Sequence, residues 1–388
     1  MFNFTVLPEL GLYIHIPWCV RKCPYCDFNS HVVRGELPET EYIKALIADL
    51  EQDLPRIWGR VVKSIYIGGG TPSLFSAESI EALLSGLRAR LSINPDAEIT
   101  LEANPGTVEY QKFAEFKAAG INRLSIGIQS FNDDHLQQLG RIHDRRQAFA
   151  AAESAHKAGL ENFNLDLMFA LPGQSIQQSQ ADVRNAIDLE PQHISLYQLT
   201  LEPHTWFYEH PPVLPGHDLA FKMQQRNHEI LTDNGLMQYE VSAYAKPGRQ
   251  SRHNLNYWQF GDYLGIGAGA HGKLSSADPQ GIHRLWKTKH PGEYLDKATR
   301  KEVISGESEI TANDLPVEFM MNALRLTGGF DAGLFDRQTG MPLDLLTPGL
   351  HRAQEKDLIQ VHNGSIRPTQ TGQRFLDDLV SLFMDDNG

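Results

Sequence analysis

Through about its first 200 residues the chain alternates two patterns. Short runs of branched and aromatic residues ("GLYIHIP", "VVKSIYIGGG", "AEITLEANP", "NRLSIGIQS", "NFNLDLMFALPG", "HISLYQLTLEP") end in glycine or polar residues. Segments with a helical period separate them. In "TEYIKALIADLEQDL", Tyr42, Ile43, Leu46, Ile47, Leu50 and Leu54 fall on one stripe; "SAESIEALLSGLRARL" repeats the pattern, and "YQKFAEFKAAG" closes on Gly120 as a helix stop. Strands alternating with helices predict βαβ units, an α/β fold and a parallel sheet. Six units are too few for a closed eight-stranded barrel, so a partial, open barrel is expected, with a doubly wound sheet as the competing arrangement.

The polar residues gather where the runs end: Gly68, Gly69, Gly70 and Thr71; Glu102 and Asn104; Gln129; Asp166; Glu202. Barrel-type folds build their sites at the C-terminal ends of the strands, so these ends are expected to converge on one face. After about residue 205 the rhythm breaks. "EPHTWFYEHPPVLPGHD" reads as a loop, "MQYEVSAYAKPG" as a further strand, and "RHNLNYWQFGDYLGIGAGAHG" is rich in glycine. From about residue 300 come helix-like segments such as "LPVEFMMNALRLT", a hairpin signal at Asn363-Gly364, and "TGQRFLDDLVSLF" as a closing amphipathic helix. The expected division is a barrel over 1–205, an extension over 206–299 and a small winged-helix-like α+β domain over 300–388.

Composition narrows the function classes. With 41% hydrophobic and 21% charged residues the chain is a folded globular protein. A net charge of −13 argues against nucleic acid as a partner, because phosphate binding needs a basic face. No apolar run approaches the roughly 18 residues of a membrane span, and the N-terminus lacks the basic start of a signal peptide. A cytoplasmic protein with at most transient membrane association is expected.

The chemistry starts at "WCVRKCPYCDFNSH", which holds the chain's 3 cysteines, Cys19, Cys23 and Cys26. An odd, clustered set suits a metal site in a reducing compartment and not a disulfide framework. A structural zinc would need a fourth ligand, from His15 or His31. An iron–sulfur cluster held by three thiolates would instead leave one iron open to a small-molecule ligand.

C-x3-C-x2-C after a first strand, with Tyr25 just before the last cysteine, resembles the signature of the radical S-adenosylmethionine (SAM) superfamily. The resemblance implies a partial (β/α)6 barrel, a 4Fe–4S cluster on Cys19, Cys23 and Cys26, and SAM on the open iron. One-electron reduction of the sulfonium would then release a 5′-deoxyadenosyl radical. It further implies that Gly69, Gly70 and Thr71 of "GGGTP" hold the SAM amino group, that Glu102 receives its ammonium, that Gln129 and Asp166 bind the ribose, that Arg141 meets the carboxylate, and that Tyr13 and Tyr25 flank the site.

Within the superfamily two branches compete: the oxygen-independent coproporphyrinogen III oxidases and the related haem chaperones. The oxidases resemble C-x3-C-x2-C-x-C, but here the last position is Phe28, and little chain precedes Cys19. "HNLNYW" matches the chaperones' H-N-x-x-Y-W haem-binding motif. It implies His253 as a haem-iron ligand with Tyr257 and Trp258 as flat apolar surface, and His271 as a weaker candidate. The expected function is therefore that of a haem chaperone delivering haem to haem-requiring proteins such as respiratory enzymes, with cluster binding promoting a homodimer. A decarboxylating oxidase is the alternative, and a metal-binding structural protein the second.

Overall fold

The computed structural model describes residues 2–107 and 110–384. Six β/α units come first: β1 (Leu10–Ile16), α1 (Glu39–Asp53), β2 (Val61–Gly69), α2 (Ala77–Arg88), β3 (Ser92–Ala103), α3 (Tyr110–Ala119), β4 (Arg123–Gln129), α4 (Arg145–Lys157), β5 (Phe163–Phe169), α5 (Ile176–Asp188), β6 (His193–Gln198) and α6 (His217–Asp233). The six strands are parallel neighbours in chain order, which is the expected partial barrel. Local chemistry sets the boundaries. Asp144 with Gln147, and Ser175 with Gln178, form capping boxes at the starts of α4 and α5. Gly120, at φ 116°, ends α3 in a conformation that side chains resist.

Alternate residues of each strand meet different surroundings. Ile65, Ile67, Ile99, Leu101, Leu124, Ile126, Leu165, Leu167, Ile194 and Leu196 are buried in the main core under the helices. The intervening positions are polar and line the barrel lumen. There Asn164 Nδ2 donates to Ser125 Oγ at 2.8 Å, and Asn164 Oδ1 accepts from Ser195 Oγ at 3.0 Å and from His193 Nδ1 at 2.7 Å.

The sheet extends past the barrel on both sides. β7 (Met237–Glu240) and β8 (Ala243–Ala245) continue antiparallel beyond β6. The helix α7 (Arg252–Trp258) packs against β1 and β2, and β9 (Asp262–Ile266) then pairs parallel with β1. β10 (His271–Ala277), β11 (Gln280–Lys287) and, after α8 (Pro291–Ala298), β12 (Ile304–Glu309) follow antiparallel. The 12-stranded order is β12-β11-β10-β9-β1-β2-β3-β4-β5-β6-β8-β7, and the sheet stays open. Buried charges lock the extension to the barrel. Asp262 takes Lys273 at 2.9 Å and Arg60 at 2.8 Å, while Lys287 sits between Asp49 and Asp53 of α1.

Because β12 belongs to the large sheet, the small C-terminal unit starts after Glu309, later than the expected boundary at 300. Its order is α9 (Leu315–Ala323), β13 (Phe330–Asp331), α10 (Gly333–Thr339), α11 (Thr347–Glu355), β14 (Ile359–His362) and β15 (Ser365–Pro368), the helix–strand–helix–helix–hairpin sequence of a winged helix. Asn363 and Gly364 turn the hairpin at φ 49° and 75°. The closing segment breaks at Phe375 into Gln370–Arg374 and Leu376–Ser381 instead of forming one helix. Phe2 and Phe4 from the start of the chain pack against this unit's own core. No described helix is long and apolar enough to cross a membrane.

Candidate functional site

The loop carrying the cysteines leaves β1 and returns beside itself. Trp18–Cys19 pairs parallel with His31–Val32, and Val33 N–H donates to Cys19 O at 2.9 Å. The end of β2 clips onto its base: Gly70 N–H donates to Ile16 O at 2.8 Å and Thr71 N–H to Trp18 O at 2.7 Å. This close approach explains two of the glycines. Gly69 sits at φ 116°, and a Cβ on Gly70 would lie 2.5 Å from Trp18 O.

All 3 thiols are free, partly buried and face one cavity of about 390 Å³. Each has a polar neighbour: Thr71 Oγ1 is 3.5 Å from Cys19 Sγ, Arg141 Nη1 is 3.7 Å from Cys23 Sγ, and Ser30 Oγ is 4.0 Å from Cys26 Sγ. Burial pushes the Cys19 and Cys26 thiols up; a bound metal reverses that preference by favouring thiolate. Among the described residues no three His, Cys, Asp or Glu side chains converge tightly enough to grip a single ion. His15 is committed elsewhere, with Nδ1 on Tyr13 OH and Nε2 on Asn29 O, both at 2.9 Å. His31 Nε2 meets Asn29 Oδ1 at 3.2 Å. The zinc reading therefore finds no fourth ligand in either histidine.

Opposite the thiols the strand ends converge as expected. Tyr25, Gly69, Gly70, Thr71, Glu102, Gln129, Arg141, Asp166 and Glu202 all line the cavity. Glu102 accepts from Tyr66 OH at 2.9 Å and from Gly69 N–H at 3.0 Å. Burial pushes its carboxyl up to about 7 against the pull of those two bonds, with the Asp166 charge adding to the rise. Burial also raises Asp166, which accepts from Asn164 Nδ2 at 2.8 Å and Ser125 Oγ at 3.0 Å. Gln129 holds φ 70°, an uncommon backbone for a residue with a side chain, at the irregular end of β4. Arg141 donates to Gly127 O at 2.7 Å, while its Nε is buried without a partner among the described residues. A pocket with several carboxylates, and with an arginine whose Nε still lacks an acceptor, suits a cationic ligand carrying its own carboxylate, as SAM does.

Other expected residues lie elsewhere. Tyr13 is outside the cavity lining, one layer deeper, stacked on Tyr66 at 6.3 Å between ring centres. The "HNLNYW" residues form α7. His253 is 1% exposed and reaches into the lumen. Its Nδ1 meets Ser64 Oγ and its Nε2 meets Tyr257 OH, each at 2.9 Å, and its ring stacks on Tyr66 at 5.2 Å. Burial pushes this imidazole down to about 3, so it is neutral with both nitrogens engaged. Tyr257 packs edge-on against Tyr263, and Trp258 joins the core of the C-terminal unit under Arg325. As the chain is folded, both His253 nitrogens are hydrogen-bonded within the protein, and the Tyr257 and Trp258 rings lie 6.3 Å apart between centres, tilted by 57°. His271 is exposed at the start of β10.

The sequence reading missed Tyr66, Ser125 and Met168, which also line the cavity. Strand parity carries the signal: Tyr66 stands two residues before Gly68, Ser125 two before Gly127, and Met168 two after Asp166, all on the lumen face.

Comparison with known proteins agrees with this architecture. Residues 13–184 match the radical SAM superfamily and residues 310–375 the HemN C-terminal domain. The chain is similar to the solved coproporphyrinogen III oxidase (HemN) of Escherichia coli, with a TM-score of 0.82 and 23% identity over 97% of this chain and 90% of that one, a likeness of fold. It is 48% identical to the heme chaperone HemW of Escherichia coli (strain K12), over 97% of this chain and 99% of the relative. To the heme chaperone HemW of Haemophilus influenzae it is 49% identical, over 97% and 98%. With nearly half its residues shared along the full length of two such relatives, the chain belongs to the HemW family of the radical SAM superfamily.

Proposed function

We propose that this chain is a haem chaperone that binds haem and passes it to haem-requiring proteins such as respiratory enzymes. The observation that carries this reading is its 48% identity over 99% of a curated heme chaperone. Superfamily membership implies a 4Fe–4S cluster and SAM, and the cavity has residues fitted to both. Cys19, Cys23 and Cys26 would hold the cluster. Glu102 would take the SAM ammonium, with Gly69, Gly70 and Thr71 beside it, Arg141 its carboxylate, and Gln129 and Asp166 its ribose. When bound, the cluster supplies one electron to the SAM sulfonium. The chain's own share is to orient SAM with these groups and keep the thiols partly shielded from water.

The test pairs two anaerobic assays on the cluster-loaded protein. Haem-loaded protein mixed with an apo-haemoprotein should transfer its Soret band to the acceptor. Coproporphyrinogen with reductant and SAM should give no vinyl product. Failure to bind or transfer haem, or robust decarboxylation, would contradict the proposal.

A further inference from the structure

β1 and β2 run side by side against α7, and a line of side chains crosses the lumen from that helix to the cavity. His253 stands at the helix end of the line. Its ring lies on Tyr66 at 5.2 Å between centres and 26° between planes. Tyr66 OH donates to Glu102 Oε1 at 2.9 Å, while Gly69 N–H holds Oε2 at 3.0 Å. Two glycines make room for this line. A Cβ on Gly11 would lie 3.3 Å from His253 Cε1, and one on Gly68 would lie 2.9 Å from Tyr66 Cε1 and 3.1 Å from Glu102 Cδ. Tyr66 also lines the cavity, so a single ring touches both α7 and the wall that faces the thiols.

The aim of the Tyr66 hydroxyl depends on how its ring is packed. The ring is stacked on His253 and, at 6.3 Å, on Tyr13. Interiors are close-packed, so withdrawing the imidazole leaves a gap into which the ring can shift. A shift of a few tenths of an ångström is enough to degrade a hydrogen bond.

The function proposed above needs an imidazole for haem iron, and the segment that matches the chaperone motif offers His253. Where it sits, this imidazole is almost wholly buried, with Nδ1 on Ser64 Oγ and Nε2 on Tyr257 OH. Iron takes the lone pair of a ring nitrogen, so at least one of those bonds has to open. A flat macrocycle does not fit into the packed lumen, so the imidazole has to swing out to meet it and leave the face of Tyr66. We propose that Tyr66 makes haem on α7 and SAM in the cavity antagonists: haem draws His253 off Tyr66, Tyr66 loosens its hold on Glu102, and the SAM ammonium is gripped less tightly. Linkage makes the effect reciprocal, so SAM weakens the hold on haem by the same factor and favours its hand-over to an acceptor. This inference rests on the haem-carrying function proposed above.

Calorimetric titration of SAM into the cluster-loaded chain near neutral pH, with and without one equivalent of bound haem, tests it. The wild type should bind SAM about 5-fold or more weakly when loaded with haem. Tyr66→Phe lacks the bond to Glu102. Its haem-free form should already bind SAM about 5-fold more weakly than wild type, and haem should then change that affinity by less than about 2-fold. In the haem-free chain His253→Gln should also weaken SAM by about 5-fold, and adding Tyr66→Phe should cost little more, because both act through one bond; a general loosening of the fold would make the two losses multiply. Unchanged cluster iron and thermal midpoint show that each variant is folded. Equal SAM affinity in haem-free and haem-loaded wild type, an undiminished haem effect in Tyr66→Phe, or losses that multiply in the double variant would overturn the linkage and leave the chaperone reading in place. No haem binding by the wild type would overturn the function reading as well.

Discussion

Glu102 is half-buried with a carboxyl poised near neutrality, and its two hydrogen-bond donors favour the charged form. A ligand ammonium needs that charge, so SAM affinity should fall as pH drops through about 7, where the carboxyl takes up a proton. Tyr66→Phe removes one donor, which raises the carboxyl further. Its binding curve should therefore shift to higher pH, with affinity recovered in alkaline buffer. Glu102→Gln should bind SAM about 10-fold or more weakly and with little pH dependence. Calorimetric titration of SAM between pH 6 and 8.5 reads all three proteins, and a flat wild-type profile would show that Glu102 does not meet the ammonium. The ring of Tyr66, which donates to this carboxylate, is itself stacked on His253 at 5.2 Å between centres.

Elements were more legible than their interior contacts. The six β/α units show in the sequence because apolar strands and periodic helices alternate, and the strand ends show because polar residues punctuate them. β9 did not show: its residues Asp262–Ile266 carry an acid and a glycine and are flanked by further glycines, a composition that reads as turn. α7 did not reveal its fate either. A seven-residue helix has no period long enough to tell a buried face from an exposed one, so the burial of His253 against Ser64 and Tyr66 did not show. "GGGTP" was legible as a place of close approach, but its partner, the Trp18 backbone, is set by tertiary packing. Gly70→Ala would push the end of β2 off the base of the cysteine loop. It should cost about 1–3 kcal/mol of stability in denaturant unfolding and lower the iron retained after reconstitution. Wild-type stability and iron content in that variant would mean the clip is dispensable.

Across the whole molecule, the extension is held to the barrel by charges buried between α1 and β11. Burial alone would push the Lys287 ammonium down; Asp49 and Asp53 outweigh it and hold it above its ordinary range. Tyr294 OH and Gly267 N–H also donate to Asp49, at 2.7 and 3.0 Å, so one carboxylate gathers the turn after β9, α8 and β11. Lys287→Ala leaves two buried carboxylates without their cation and should destabilise the fold by about 3–5 kcal/mol in denaturant unfolding. A loss under about 1 kcal/mol would show that the group is solvated or rearranges freely. These contacts place His290 edge-on against His31, which closes the loop that carries the thiols, so the C-terminal extension and the barrel together frame one end of the molecule.

Anaerobic reconstitution with iron and sulfide, followed by electron paramagnetic resonance with and without SAM, addresses the three thiols on which the cofactor chemistry depends. The expected result is about four irons and four sulfides per chain, a reduced-state spectrum that changes when SAM is added, and loss of both in Cys19→Ala, Cys23→Ala or Cys26→Ala. A colourless, iron-free protein, or a single zinc per chain with no response to SAM, would contradict it.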